Sequence, residues 1–356
     1  MTSAEISSHY RAHGFAILRG AYDQERVTRL LAICDRVLEQ WRRAPQTDNP
    51  PVGPQSTYMR HLNHPEYRRE APGDLAYLLD SVAEPKLIEA IEAALGEEFL
   101  FSATSLYFNP TGVSEDGFWH KDSLGEWPDP RDKETGIGVS VQIALVPSED
   151  FELVPGSHGR EYTDAERRIC VDDDRAHNRS NEMPNAAKME FAPGDAVLFN
   201  ALTVHRGRYH ADKPRRTFMV VYRKVRTARE ELSRRGLHQY TDQPWFLLPG
   251  YLDGVKKETD AFFRRYVDFY ADNWRSRLSE MNKYLWLAAA LKQAGDPNPF
   301  FAAPDRNPSP SADTVSTEPD RRRTAKFIDH LLAMPEVGDD ADFEPAGDPQ
   351  PPNRSR

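Results

Sequence analysis

The chain has 356 residues, 39% of them hydrophobic and 29% charged, with a formal net charge of -10 at pH 7. That is enough apolar material for one substantial core plus polar appendages, and an acidic balance that excludes nucleic-acid binding unless basic residues gather on one face. Two cysteines far apart in sequence, Cys34 and Cys170, exclude a disulfide framework and a zinc ribbon.

The opening "MTSAEISSHYRAHGF" has neither the basic region nor the apolar run of a secretion signal, and no apolar stretch approaches membrane-spanning length. A cytoplasmic protein without a membrane segment is expected. The first elements read as an amphipathic helix in "EISSHYRAHG", a short strand in "FAILRG", and a long helix in "DQERVTRLLAICDRVLEQWRR". In the long helix Asp23 is the expected N-cap, and Val27, Leu30, Leu31, Cys34, Val37, Leu38 and Trp41 recur at helical spacing on the buried face. After the loop "APQTDNPPVGPQ" two more helices are predicted, around Asp74 to Leu79 and from Glu84 to Leu95, the second closed by Gly96.

Past Gly96 the period changes. The stretches "EFLFSATSLYFNP", "GIGVSVQIALVPS", "AKMEFAPGDAVLFN" and "PRRTFMVVYRK" are rich in Val, Phe, Tyr and Ile and punctuated by Gly, Pro, Asp and Asn. Strands with no helix between most of them predict a mainly β fold, a sandwich or jelly roll covered by the leading helices. From about Thr227 the pattern turns helical again, and Phe263, Val267, Tyr270, Trp274, Leu278, Met281, Leu285 and Ala288 share one stripe. Packing of that stripe on the β domain is the simplest reading; a homodimer contact or a lid is the other. The Pro- and Ser-rich stretch from Asp296 to Glu318 reads as a linker. A short amphipathic piece, "RRTAKFIDHLLAMP", and an acidic, Pro-rich tail follow it.

Two stretches carry candidate chemistry. In "FWHKD", residues two apart on a strand share a face, so His120 and Asp122 project together and Lys121 projects away. His205, in "VLFNALTVHRG", offers a third ligand from a neighbouring strand. Two His and one carboxylate on one side of a metal leave the opposite positions open for a cosubstrate and oxygen, as ferrous iron uses them. Arg215 and Arg216 stand at the head of the following apolar strand, where a guanidinium can grip a small carboxylate through two parallel hydrogen bonds. They point to opposite strand faces, so one of the two serves.

In order along the chain, "HYRAHGFAILRGAYDQERVTRLL", "GFWHKD", "ELVPGSHGR", "APGDAVLFNALTVHRG" and "KPRRTFMVVYR" resemble the phytanoyl-CoA dioxygenase family of iron(II)- and 2-oxoglutarate-dependent oxygenases, from about Ser8 to Arg223. The resemblance implies a double-stranded β-helix, a cupin-like jelly roll, flanked by N-terminal helices over residues 1–226. A helical extension over 227–295 and a linker, short helix and tail over 296–356 lie outside it. It implies Fe(II) held by His120, Asp122 and His205, 2-oxoglutarate gripped by Arg215 with Arg216 as rival, and O2 as co-reactant. The implied reaction is hydroxylation of an unactivated C-H of a small molecule, with decarboxylation of 2-oxoglutarate to succinate and carbon dioxide. Related halogenases omit the carboxylate that Asp122 supplies here, which favours hydroxylation; desaturation, epoxidation and ring formation use the same centre. Trp127, by likeness to ectoine hydroxylases, and Tyr107 are the candidate substrate-pocket residues, and the long polar loop "EYTDAERRICVDDDRAHNRSNEMPNAA" is expected to shape the pocket. "PGSH" reads as a turn rather than a source of a ligand His158. The rival readings are a cupin-like metalloenzyme that does without 2-oxoglutarate, for which both arginines are dispensable, and a catalytically silent jelly-roll binding module.

Overall fold

Thr2 opens the first helix, α1 (Ser3–His13), with a reciprocal cap: its hydroxyl accepts the Glu5 N–H and the Glu5 carboxylate returns to the Thr2 N–H. The computed structural model describes residues 1–43, 58–60, 62–63, 71–109, 114–122, 132–229 and 251–276. Left-handed Gly14 ends α1 and turns the chain into β1 (Phe15–Leu18). In α2 (Gln24–Arg43) the Asp23 carboxylate accepts the Arg26 N–H at 2.8 Å, the expected cap. Its buried face is the predicted one with Ile33 added, while Leu31 is only half-buried. Next come β2 (Tyr58–Arg60) and two helices that each carry proline in the first turn, α3 (Pro72–Val82) and α4 (Pro85–Leu95). Gly96, left-handed, closes α4 as predicted.

The β region continues with β3 (Phe99–Tyr107), β4 (Glu115–Asp116), β5 (Gly138–Ala144), β6 (Ser148–Leu153), β7 (Ala187–Phe191), β8 (Ala196–Asn200), β9 (His205–Tyr209) and β10 (Thr217–Lys224). A six-stranded sheet runs β1-β8-β5-β10-β3-β2 and a four-stranded sheet runs β4-β9-β6-β7, with every described pair antiparallel. Antiparallel sheets with helices are what the punctuation predicted. Several strands escaped the periodicity. The segment "SEDFE" is β6, and its alternation is obscured because both its faces are buried toward the end. The long polar loop contains α5 (Asp164–Cys170), opened by a Thr163 and Glu166 capping box. The T-x-x-E signature was present in sequence but the surrounding polarity masked it.

Three apolar layers result. Helices α1 to α4 cover the outer face of the larger sheet. Phe15, Phe151, Leu153, Val197 and Phe199 fill the space between the sheets. Trp119, Val154, Cys170, Met183 and Val204 form a smaller cluster with α5 on the outside of the four-stranded sheet. The helix α6 (Lys257–Ser276) lies on the first layer, with Phe263 5.4 Å from Phe101 between ring centroids. Of the predicted stripe, Phe263 is buried within the chain, and so are Tyr266 and Phe269, which the stripe did not include; Leu278 and the residues beyond it lie outside the described ones. Both cysteines are buried and free, and among the described residues no helix is long and apolar enough to cross a membrane.

The turn from β7 to β8 is held by Asp195. Its carboxylate accepts the Gly20 N–H at 2.8 Å, the Ala192 N–H at 2.9 Å and the Arg19 guanidinium at 2.7 Å. Burial opposes its ionisation, but these donors outweigh it and hold the carboxyl below its ordinary value. Asp195→Ala is expected to cost about 2 kcal/mol of unfolding free energy, because two backbone N–H groups lose their acceptor. The carboxylate's contribution is complete above the unfolded value of about 3.9 and fades as pH falls through the lower folded value, so the wild-type advantage in urea should shrink below roughly pH 4.

Candidate metal centre

Antiparallel pairing carries β4 alongside β9, with Glu115 opposite Tyr209 and Asp116 opposite Arg208. By the time the chain reaches His120 the partner is His205, which is one residue out of that register. One extra residue has been taken up between, as in a β-bulge. The sequence expectation of a regular strand through "FWHKD" is thereby corrected: His120 forms an isolated bridge and Asp122 follows in a bend. The physical reason is that the backbone of Trp119 to Asp122 bonds elsewhere, the Trp119 N–H to the Asn178 carbonyl and the Asp122 N–H to the Ala201 carbonyl. His205 likewise does not continue the strand "VLFN"; a turn at Ala201 and Leu202 moves it into the other sheet, at the start of β9.

His120 and His205 exchange both backbone hydrogen bonds, at 3.1 and 3.0 Å, and their rings stand 4.4 Å apart between centroids. Each imidazole is fixed by its own segment. Nδ1 of His120 lies 2.9 Å from the Phe118 carbonyl and Nδ1 of His205 lies 2.8 Å from the Thr203 carbonyl. A carbonyl only accepts, so both Nδ1 atoms carry a proton, and Nε2 is the nitrogen that presents a lone pair when each ring is neutral. Both Nε2 atoms converge on one carboxylate oxygen, Asp122 Oδ1, at 3.3 Å from His120 and 3.6 Å from His205. The three side chains offer ligand atoms that all lie within 4.8 Å of one another. Separations of this size suit one ion at the usual nitrogen and oxygen bond lengths of about 2 Å, and a two-nitrogen, one-oxygen set on one side suits ferrous iron.

The environment divides the pair. His205 is buried, with Phe199 and Phe151 rings at 4.8 and 5.8 Å, and burial pushes its pKa down to about 4. Burial also favours the neutral ring of His120, yet the hydrogen bond and charge of Asp122 outweigh it and raise the pKa above its ordinary value. The His120 and Asp122 side chains are about one-third exposed, 32% and 37%, against 7% for His205, so the centre opens on their side.

Two residues along β9 from His205, on the same face, is Gly207. A Cβ there would stand 2.9 Å from Tyr209 Oη and 3.3 Å from Arg215 Nη1, so the glycine leaves room for a guanidinium on the inner face. Arg215 is buried, donates to the Arg208 carbonyl at 2.9 Å, and lies between the rings of Tyr209 and Tyr107, at 4.7 and 5.4 Å from their centroids. Arg216 turns the other way, to Asp35 of α2 at 2.5 Å. Tyr107 therefore stands beside Arg215, and Trp127 lies outside the described residues. His158 is packed under α1, with Nε2 3.1 Å from the Arg11 carbonyl. Sequence reasoning missed Phe151 and Phe199, which shield His205, and the two carbonyls that set the tautomers; only strand pairing brings these groups together.

The chain matches the family model described as Phytanoyl-CoA dioxygenase (PhyH) over residues 10–217. No curated protein matches it. Among solved structures it is similar to the non-haem α-ketoglutarate-dependent epimerase SnoN from nogalamycin biosynthesis, at 18% identity and a TM-score of 0.44, over 63% of this chain and 81% of that one. It is also similar to AviO1 from Streptomyces viridochromogenes Tue57, at 20% identity and a TM-score of 0.47, over 63% and 95% of the two chains. The ectoine-related structure EctD from S. alaskensis with 2-oxoglutarate and 5-hydroxyectoine shares 18% identity, with a TM-score of 0.47 over 64% of this chain and 77% of that one.

The burial of His205 has a direct spectroscopic consequence. In the metal-free protein, 15N-resolved imidazole spectra should show it as the neutral Nδ1–H form at neutral pH, with protonation only as pH falls toward about 4. Protonation near the ordinary imidazole value of about 6.5 would contradict the burial argument.

Proposed function

Because the chain belongs to the phytanoyl-CoA dioxygenase (PhyH) family, we propose that it is an iron(II)- and 2-oxoglutarate-dependent dioxygenase that hydroxylates an unactivated C-H of a small molecule. The observation that carries this reading is the convergence of two Nε2 lone pairs on Asp122 Oδ1, with a buried guanidinium one strand step beyond His205. In this reading His120, Asp122 and His205 hold the iron and Arg215 holds the far carboxylate of 2-oxoglutarate. Bound iron supplies oxygen activation coupled to decarboxylation of the keto acid to succinate and carbon dioxide.

The protein's own part is positional. The Phe118 and Thr203 carbonyls keep each imidazole in the tautomer that binds metal. Phe151 and Phe199 exclude water behind His205, and the rings of Tyr107 and Tyr209 hold the Arg215 guanidinium while leaving donors for a carboxylate. The partly exposed edge at His120 and Asp122 is where the substrate would enter. Asp122 keeps the carboxylate that halogenating relatives lack, which supports hydroxylation as the outcome. The two sheets are read as the halves of a double-stranded β-helix over residues 1–226, with 227–295 as a helical extension and 296–356 as linker, short helix and tail.

Anaerobic titration of the metal-free protein with iron(II) and 2-oxoglutarate should produce the visible charge-transfer band of a chelated keto acid, and Asp122→Ala should abolish it. Arg215→Gln should weaken 2-oxoglutarate binding by roughly 100-fold, since charge-assisted hydrogen bonds to a carboxylate are lost in a buried site. Arg216→Gln removes a half-exposed surface pair and should leave binding within about twofold. A wild type that binds iron but gives no band would move the assignment to a metalloenzyme that works without 2-oxoglutarate.

A further inference from the structure

The residues that flank the two histidines face away from the proposed metal and meet one another behind it. Arg206 follows His205 and Trp119 precedes His120, and both are almost wholly buried, at 2% and 1% exposure. The Arg206 guanidinium lies 4.5 Å from the centroid of the Trp119 indole. Its Nε donates to Glu152 of β6 at 2.6 Å, its Nη1 to the carbonyls of Arg179 and Ser180 at 3.2 Å each, and its Nη2 to Asn181 Oδ1 at 2.5 Å. Trp119 reaches the same segment twice, from its backbone N–H to the Asn178 carbonyl at 2.6 Å and from its indole N–H to the Ser180 carbonyl at 2.8 Å. One buried cation thus joins four pieces of chain: β9, which bears His205; β6, through Glu152; the bulged segment that bears His120; and residues 178–181.

That junction sits where the register needs holding. The pairing of β4 with β9 would bring Trp119 opposite His205 if it continued unchanged, and His120 would then turn to the other face. The extra residue taken up before His120 prevents this, but a bulge in a short, two-residue pairing is weakly specified by its backbone alone. Trp119 cannot move opposite His205 without leaving the Arg206 guanidinium and both carbonyls of the 178–181 segment, which would strand buried donors. We propose that Arg206, acting through Trp119 and residues 178–181, is a positioning residue that locks this register and so presets the separation of His120 and His205 before metal arrives. The proposal rests on the reading of His120, Asp122 and His205 as the metal site.

The test is cobalt(II) binding to the full-length, metal-free protein, followed by the visible ligand-field band and by the rise in melting temperature on loading. Wild type should bind and Asp122→Ala should not. Arg206→Lys keeps a cation near Glu152 but gives up the fork; it should fold, bind cobalt(II) roughly 10- to 100-fold more weakly, and show a correspondingly smaller thermal gain on loading. Cobalt(II) affinity within twofold of wild type overturns the assignment. So does an equal fall in melting temperature of the metal-free and loaded forms, which is the mark of a purely structural role. Should Arg206→Lys fail to fold, Trp119→Phe decides: it keeps an aromatic face over the guanidinium and gives up the indole donor together with part of the ring volume. Several-fold weaker binding supports the lock and unchanged binding overturns it. If Asp122→Ala binds as well as wild type, the metal site itself is misassigned and the lock falls with it.

Discussion

His120 and His205 lie 85 residues apart in sequence, and the paired backbone hydrogen bonds between them are what turns separate side chains into a centre. Those two bonds set the ring separation, and the ring separation decides where a carboxylate must stand to face both Nε2 atoms. Two imidazoles this close cannot both be charged without repulsion, and burial disfavours charge on the inner one. The pair therefore splits, with the buried ring neutral and the outer ring drawn toward Asp122. Lone pairs and a carboxylate aimed at one point repel one another, and a cation bound there would turn that repulsion into attraction.

Strand alternation explains why neighbouring residues here have opposite tasks. Along β9, His205 and Gly207 face the interior with Arg215, while Arg206 and Arg208 face outward to Glu152 and Asp116. In the facing segment His120 and Asp122 point inward. Trp119 backs onto Arg206, and the Lys121 ammonium donates to the Ser157 and Arg160 carbonyls at 2.9 Å each. Ser157 in turn receives the Val204 N–H on its hydroxyl, which closes a circuit from one ligand segment to the other through the "PGSH" turn. The inner face is left uncluttered for ligands because the outer face carries the fastening.

The two candidate arginines show the same division across the edge of a strand. Arg215 and Arg216 are adjacent, and alternation alone sends one inward and one outward. Nothing local says which. The inward position belongs to Arg215 because β10 is paired on both sides, to β3 and β5, and that register places Arg215 beside Tyr107 while Arg216 meets α2.

The helices α1 to α4, the caps at Asp23 and Gly96, the β region after Gly96 and the candidacy of His120, Asp122, His205 and the Arg pair were legible from residue types and spacing, because each is a local signal. Periodicity, turn chemistry and ligand-type side chains do not depend on distant partners. The bulge before His120, the transfer of His205 to the second sheet, the strand nature of "SEDFE", the aromatic wall of Phe151 and Phe199, and the Arg206 junction were not legible. Each depends on which strand lies beside which, and that is settled by burying all the apolar faces at once. A sequence alone lists the groups able to bind a metal; only sheet pairing determines which lone pairs meet.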